Sequence, residues 1–173
     1  PANWQDEVMA ALNSVLEQCK NEQTLERAQD LLDRIDQTGS FVRDWMLAGP
    51  YNKKVESADE LFDVRFAPEK EKGQAAIWQR AVLRVDSSVV DLRANLRGLG
   101  GTGVAYLRTY VHSAQPQDAR LLMGSDNGIK AWLNGELVHT NNAERGQQVA
   151  QDQVDVTLQQ GWNELLLKIV NVG

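Results

Sequence analysis

The chain of 173 residues has one cysteine, Cys19, and two histidines, His112 and His139. A single cysteine excludes an intrachain disulfide and any metal site built from several cysteines. Catalysis of the Ser-His-Asp type needs a histidine base and an orienting acid. The two histidines are predicted on strands, near opposite ends of a β domain, where they cannot act as a pair. No HxH or HExxH spacing and no phosphate-binding loop occurs in the sequence.

Long apolar runs and clustered positive charge are also missing. No stretch approaches the roughly 20 apolar residues that span a bilayer, so we predict no membrane insertion. The formal net charge is −6, and because binding to phosphates depends on clustered Lys and Arg, nucleic acid is not an expected partner. The chain begins with PANWQDE, without an initiator methionine or a signal peptide, and we therefore expect a processed product or a piece of a longer protein.

The first part of the chain has a helical period. Apolar residues recur at intervals of three and four from Trp4 to Cys19, and again from Leu25 to Ile35. Asn21 stands where an N-cap is expected, and Glu22 follows in the first turn, where the helix dipole favours a carboxylate. The pattern predicts a helical hairpin over residues 1–40.

From Phe41 onward the period changes to two, and turn residues separate short runs rich in Val, Leu, Ile, Trp and Tyr. Eight strands at this spacing predict a mainly β domain, a β-sandwich or jelly roll, over residues 41–173. The predicted strands are 41–49, 76–83, 104–113, 119–125, 129–135, 136–140, 154–158 and 163–171. We expect a long loop with one helical turn at SADELF between residues 51 and 75, and either a strand or a short helix over 86–96.

Three stretches carry a family resemblance: DWMLAGPYNKK, VAYLRTYVHSAQPQDARLLMGSDNGIKAWLNGELVHTNNAERG and VDVTLQQGWNELLLKIVN. They resemble the galactose-binding-like jelly-roll modules of large extracytoplasmic bacterial proteins and of proteins that contain glycoside hydrolases. The resemblance covers residues 41–173. It implies a β-sandwich that binds a polysaccharide or glycan as an accessory module, secreted or periplasmic, beside other domains of a parent protein.

The resemblance also implies a structural calcium ion, which such modules often hold. Related PA14 modules carry two adjacent aspartates in the comparable turn, and this chain has Asp126 followed by Asn127. Asp126 and Asp152 are the predicted calcium ligands. A helical pair in front of such a module fits the last repeat of an α-solenoid.

Strand direction predicts where a binding site lies. Antiparallel strands reverse at each connection, so the loops 98–103, 124–128 and 141–152 emerge at the same end of the sandwich. Amides, carboxylates and guanidinium groups in loops are suited to hydrogen-bonding sugar hydroxyls. The predicted sugar-binding residues at this end are Asp126, Asn127, Asn141, Asn142 and Arg145. The same residue types also serve simply as turn formers.

Trp132 is a further predicted ligand-binding residue. The period of two places it with Lys130 on one face of its strand. The strand predicted at 104–113 has a similar face that carries Tyr106, Arg108, Tyr110 and His112. Exposed aromatic rings beside cations could stack on a neutral, uronic or sulfated sugar. Alternatively, the helical hairpin or the 51–75 loop covers this face, and the rarity of large exposed aromatic patches favours that interpretation.

The sequence therefore predicts a non-catalytic carbohydrate-binding module. A structural or protein-interaction domain without affinity for sugar is the alternative. A glycosidase needs two carboxylates on either side of the scissile bond, and Asp126 with Glu144 is the pair to test, because strand reversal brings their loops together. No acid-base constellation can be assembled from the remaining residues, so we predict that the chain is not an enzyme.

Overall fold

The structure, a computed structural model, describes residues 4–39, 41–52, 58–70, 75–84, 87–99 and 101–171. The chain divides into two compact units, one of Pro1–Arg43 with Val82–Val90 and the other of Asp44–Ala81 with Asp91–Gly173. The helical unit thus includes a short segment from the middle of the chain. The predicted domain boundary between residues 40 and 41 stays a prediction.

The first unit contains two helices, α1 (Trp4–Gln18) and α2 (Glu22–Gly39), which pack against each other. Asn21 caps α2 as predicted, since its Oδ1 accepts a hydrogen bond of 3.0 Å from the backbone N–H of Thr24. The guanidinium of Arg43 donates to the carbonyl oxygens of Ser87 and Arg84, at 2.8 and 2.6 Å. These bonds tie residues 82–90 into the unit. Neither helix, over the residues that the structure describes, has the length and apolarity to cross a membrane.

The second unit contains all eight predicted strands. Their bounds are β1 (Met46–Tyr51), β2 (Gln79–Arg80), β3 (Gly103–Ser113), β4 (Gln117–Met123), β5 (Gly128–Leu133), β6 (Glu136–Asn141), β7 (Asp152–Leu158) and β8 (Gly161–Asn171). β1 and β2 are shorter than the pattern indicated. The predicted turn at SADELF is helix α3 (Ala58–Asp63), followed by a 3-10 turn at Ala67–Glu69. The ambiguous stretch forms a helix, α4 (Leu92–Asn95), because the Asp91 carboxylate accepts the N–H of Ala94 at 3.0 Å.

The strands form two antiparallel sheets, a six-stranded sheet in the order β2-β1-β3-β8-β5-β6 and a two-stranded sheet of β4 and β7. The sheets pack through Leu133 of β5 and Val156 and Leu158 of β7, which are buried together. We call the face of the large sheet that carries Leu133 the inner face, and its opposite the outer face. The predicted fold class, a mainly β sandwich preceded by a helical hairpin, is confirmed.

Residues 58–70, which we call the covering segment, pack on one half of the outer face. Leu61 and Phe62 lie in one buried cluster with Tyr106 of β3 and Leu166 of β8. Lys168 of β8 is fully buried beneath them. Tyr106 lies opposite Lys168, close to the start of β3 and the end of β8. The covering segment therefore covers the half of the outer face at this end of the sheet.

Lys168 anchors the covering segment. Its Nζ donates to the carbonyl oxygens of Phe62 and Val64, at 2.8 and 2.7 Å, and lies 3.2 Å from Glu69 Oε1. Burial lowers the pKa of Lys168, and the charge of Glu69 offsets part of that effect. Tyr106 donates its hydroxyl to Glu69, and burial together with this bond raises its pKa well above the usual range. A paired buried charge thus fixes the segment on the sheet.

Candidate functional site

The predicted meeting of three loops at one end of the sandwich is confirmed. β3 begins at Gly103 opposite Asn171, and β5 begins at Gly128 opposite Val170, so both start beside the end of β8. β6 ends at Asn141, opposite the second residue of β5. We call this end of the sandwich the loop end.

Asp152 is the centre of a polar cluster at the loop end. Its carboxylate accepts hydrogen bonds from Asn141 Nδ2, at 2.9 Å, and from both terminal nitrogens of Arg145. His139 Nε2 lies 3.2 Å from the same carboxylate. Only 4% of the Asp152 side chain and 15% of the Arg145 side chain are exposed. The ion pair between Arg145 and Asp152 is therefore largely shielded from water.

Arg145 also joins two of the loops. One of its terminal nitrogens donates to Ser125 Oγ at 2.9 Å, and its carbonyl oxygen accepts from Asn127 Nδ2 at 3.4 Å. Ser125 in turn donates its hydroxyl to the carbonyl oxygen of Asn127, at 2.7 Å. The loop-end cluster, as we call it, comprises Ser125, Asn127, His139, Asn141, Arg145 and Asp152. Most of its polar groups are bonded to one another, and the buried Arg145 Nε and His139 Nε2 have no hydrogen-bond partner among the described residues.

The five predicted loop residues therefore fall into two groups. Asn127, Asn141 and Arg145 belong to the loop-end cluster, where they are buried or half-buried. Asp126 and Asn142 are exposed next to it. The structure brings these residues to one end, as predicted, and their binding of a sugar stays a prediction.

The loop-end cluster fits a calcium ion poorly. Burial alone would raise the pKa of Asp152, but the hydrogen bonds from Arg145 and Asn141 and the charge of Arg145 outweigh it and hold this pKa below its usual value. The carboxylate is already neutralised by a guanidinium, which repels a second cation. Among the residues that the structure describes, no three His, Cys, Asp or Glu side chains come together as a metal site. Calcium binding by Asp126 and Asp152 stays a prediction.

Trp132 lies on the outer face, in the half that the covering segment protects. It is half-buried and packs against the buried cluster that includes Phe62 and Leu166. Its neighbour Lys130 donates to Asp63 Oδ1 at 2.9 Å and stands 4.3 Å from the centre of the Phe62 ring. Residues 58–70 of the predicted 51–75 loop do cover this part of the face, so Trp132 has a packing role there. Contact of Trp132 with a ligand stays a prediction.

The other half of the outer face, away from the loop end, is open. Trp162 of β8 is 70% exposed, and Tyr110 of β3 is 49% exposed. His112 lies opposite Trp162 in the sheet, with the ring centres 5.1 Å apart and the rings edge to face. Tyr110 lies opposite Glu164 and donates its hydroxyl to Glu164 Oε2 at 2.8 Å. Two cross-strand pairs thus present aromatic rings and polar groups to solvent.

Arg108 and Trp78 extend this surface. The guanidinium carbon of Arg108 lies 4.1 Å from the centre of the Trp78 ring and 5.9 Å from that of Tyr110. Arg108 Nε and Trp78 Nε1 are both buried without a hydrogen-bond partner among the described residues. We call this surface the aromatic strip; it comprises Trp78, Arg108, Tyr110, His112, Trp162 and Glu164.

Only part of the aromatic strip was predictable from the sequence. The alternation of β3 placed Arg108, Tyr110 and His112 on one face. Trp162 and Glu164 were not singled out, although the same period of two in GWNELLLK places both on one face of β8. Trp78 gave no signal of its own, because it lies just before the short strand β2 and its place in the strip depends on contact with Arg108.

A groove of about 1010 Å³ opens between the two sheets, along strands β4, β6 and β7. Residues on its rim are paired with each other: Arg120 with Asp155 at 2.6 Å, and Thr157, which donates its hydroxyl to Asp118 at 3.0 Å. None of the residues that line the groove is aromatic. The aromatic strip is therefore better suited than the groove to stacking on a sugar.

Comparisons with known proteins identify no family. No family model matches the sequence, and no curated protein matches it. A glycoside hydrolase family 2 β-galacturonidase from Eisenbergiella tayi, solved with glycerol, is similar over 78% of this chain and 19% of its own, with 9% identity and a TM-score of 0.48. A β-glucuronidase from Faecalibacterium prausnitzii is similar over 72% of this chain and 19% of its own, with 19% identity and a TM-score of 0.41.

The PA14 domain of the antifreeze protein MpAFP is similar over 42% of this chain and 38% of its own, with 18% identity and a TM-score of 0.33. This chain spans about a fifth of the length of the two enzymes. These are partial likenesses. The β-sandwich fold is established by the strands and the sheet pairings of this chain.

Proposed function

We propose that this chain is a non-catalytic carbohydrate-binding module whose ligand lies on the aromatic strip. One observation carries the proposal: Trp162 is 70% exposed on an open sheet face, with Tyr110 and His112 beside it. Large exposed aromatic groups that lie together on a surface usually mark an interaction site. The flat face of an indole suits the apolar face of a pyranose ring, and stacking restricts little conformational freedom because the indole is rigid.

The strip also offers hydrogen-bonding groups in reach of a stacked sugar. Glu164 accepts the Tyr110 hydroxyl with one carboxylate oxygen, which leaves acceptor capacity on the other. The His112 imidazole, exposed at the edge of Trp162, can donate or accept. Binding sites for small polar ligands typically combine aromatic walls with a few such polar groups.

The loop end is the alternative location for a ligand. Asp126, Asn142 and Glu144 are exposed there, and the loop-end cluster connects the loops that carry them. A ligand at the loop end would contact these exposed side chains, while Asn127 and Arg145 would position the loops. As the family resemblance implies, the proposed setting is a longer extracellular or periplasmic protein in which this chain is an accessory module.

Affinity electrophoresis against neutral, uronic and sulfated polysaccharides, with and without calcium, tests the proposal. We expect the unmodified chain to be retarded by at least one glycan, and Trp162→Ala to raise the Kd for that glycan about tenfold or more. Leu122→Ala is the matched control, because Leu122 is a 57% exposed apolar residue on the two-stranded sheet. Incubation with the retarding glycan should release no reducing ends.

Two results would contradict the proposal. Retardation by no glycan would favour a structural or protein-interaction domain, for which Trp162, Tyr110 and the exposed Leu137 would form the contact surface. Equal loss of retardation in Trp162→Ala and Leu122→Ala would show that the aromatic strip is not the site.

A further inference from the structure

Arg108 differs from the other cations of the sheet faces in having no acidic partner among the residues that the structure describes. Lys130 pairs with Asp63, Lys168 with Glu69, and on the small sheet Arg120 pairs with Asp155. Arg108 makes ring contacts with Trp78 and Tyr110 and forms no ion pair with any described residue. Its positive charge is therefore available to an anion from outside the chain.

Two donors near this position lack acceptors. Arg108 Nε and Trp78 Nε1 are both buried without a hydrogen-bond partner among the described residues, and the two side chains are stacked at 4.1 Å. Buried polar groups are nearly always satisfied in folded proteins. Because both of these atoms are closed to solvent, an anion from outside would bind the terminal nitrogens of Arg108, which is half-buried and has no acidic partner among the described residues.

The groups that the strip offers to a ligand change along β3. His112 beside Trp162 marks one end, Tyr110 beside Glu164 the middle, and Arg108 beside Trp78 the other end. Four residues of strand separate His112 from Arg108, which is about 13 Å at roughly 3.3 Å per residue. A single sugar ring does not reach across that distance, so a ligand that contacts both ends must contain more than one sugar unit.

We infer that the aromatic strip binds an acidic oligosaccharide, with one ring stacked on Trp162 and a carboxylate or sulfate group of another unit held by Arg108. The inference rests on the proposed function and names its ligand class. The guanidinium fork matches the planar geometry of a carboxylate and also accommodates sulfate oxygens. Glu164, in the middle of the strip, accepts hydrogen bonds from hydroxyl groups and repels an anion at that position. The anionic group of the ligand therefore lies at the Arg108 end and a neutral part of the ligand lies beside Glu164.

The test compares acidic glycans with their neutralised counterparts. Uronic polysaccharides are paired with the same polymers after reduction of the carboxyl groups, and sulfated polysaccharides with the same polymers after desulfation. Dissociation constants are measured for the unmodified chain, Arg108→Gln, Arg108→Lys and Trp162→Ala. Arg120→Gln is the charge-matched control, because Arg120 is an exposed arginine on the other sheet with its own partner. Circular dichroism checks that each variant is folded.

We expect at least one acidic glycan to bind about tenfold or more tightly than its neutralised form. Arg108→Gln should abolish that preference, Arg108→Lys should keep part of it, and Arg120→Gln should keep all of it. The uronic and sulfated pairs show which anionic group the ligand carries. Equal binding of acidic and neutralised forms, or an unchanged preference in a folded Arg108→Gln variant, would overturn the inference while leaving the proposed function in place. If neither form of any glycan binds, the proposed function itself fails, and the inference fails with it.

Discussion

The loop-end cluster and the aromatic strip contain similar residue types but use them in opposite ways. At the loop end, the Arg145 guanidinium is held by the buried carboxylate of Asp152 and by Ser125. In the aromatic strip, the Arg108 guanidinium lies against aromatic rings and forms no ion pair within the described part of the chain. An arginine whose charge is satisfied within the fold stabilises the fold, whereas one whose charge is not satisfied can bind a ligand. We therefore propose a stabilising role for the loop-end cluster and a ligand-binding role for the aromatic strip.

The largest effect that this comparison predicts is on stability. Arg145→Ala leaves the Asp152 carboxylate buried without its cation, and we expect the free energy of unfolding to fall by about 3 kcal/mol. Urea denaturation measures this change. Arg120→Ala, which breaks an exposed ion pair with Asp155, should leave the stability nearly unchanged. If Arg145→Ala lowers the free energy of unfolding no more than Arg120→Ala does, the loop-end cluster does not stabilise the fold.

A smaller effect is expected on binding at the aromatic strip. Trp162→Ala should weaken glycan binding by about tenfold, or about 1.4 kcal/mol. Because Trp162 is mostly exposed, the free energy of unfolding should change by no more than about 0.5 kcal/mol. Isothermal titration calorimetry and urea denaturation of the same preparation give the two values. A large loss of stability with unchanged binding would reverse the assignment of the two regions.

The acid limb of the stability curve offers a further test of the loop end. The pKa of Asp152 is lower in the folded chain than its usual value of 3.8, so its ion pair stabilises the fold above that pH. The contribution is lost as the pH falls through the folded pKa. The difference in unfolding free energy between the unmodified chain and Asp152→Asn should shrink as the pH falls below 3.8. A difference that persists in strong acid would show that charge is not its origin.

The smallest effect is expected at Asp126. This residue is exposed on the turn at the loop end, so Asp126→Ala should change the free energy of unfolding by less than about 0.5 kcal/mol and leave glycan binding at the strip unchanged. Loss of binding in this variant, with Trp162→Ala unaffected, would move the site to the loop end.

Much of the fold was predictable because it follows from local periods. The change from a helical period to a period of two located the hairpin and all eight strands, and counting strand reversals was enough to bring loops 124–128 and 141–152 together. The alternation along β3 also gave the face that carries Tyr110. These features depend on residues close together in the sequence.

Whether a given side chain is exposed, buried or paired was not predictable in the same way. The part of the outer face that stays open depends on where the covering segment docks, and this is decided by bonds such as that between Lys168 and the Phe62 carbonyl, 106 residues apart in the chain. The pairing of Arg145 with Asp152 was not predictable, because an irregular loop separates the two residues and the sequence pattern gives no geometry for it. Trp162 follows the alternation of β8, but its exposure depends on the absence of the covering segment from that half of the face.

The most direct test of the central claim is a nuclear magnetic resonance titration of the ¹⁵N-labelled chain with a glycan that retards it in electrophoresis. The chain has five tryptophans, and the indole N–H signal of Trp162 is identified by its loss in Trp162→Ala. We predict that this signal and that of Trp78 shift on titration, while the backbone amides of residues 125–127 and 141–146 do not. Shifts confined to those amides, with an unmoved Trp162 indole, would contradict the account and place the ligand at the loop end.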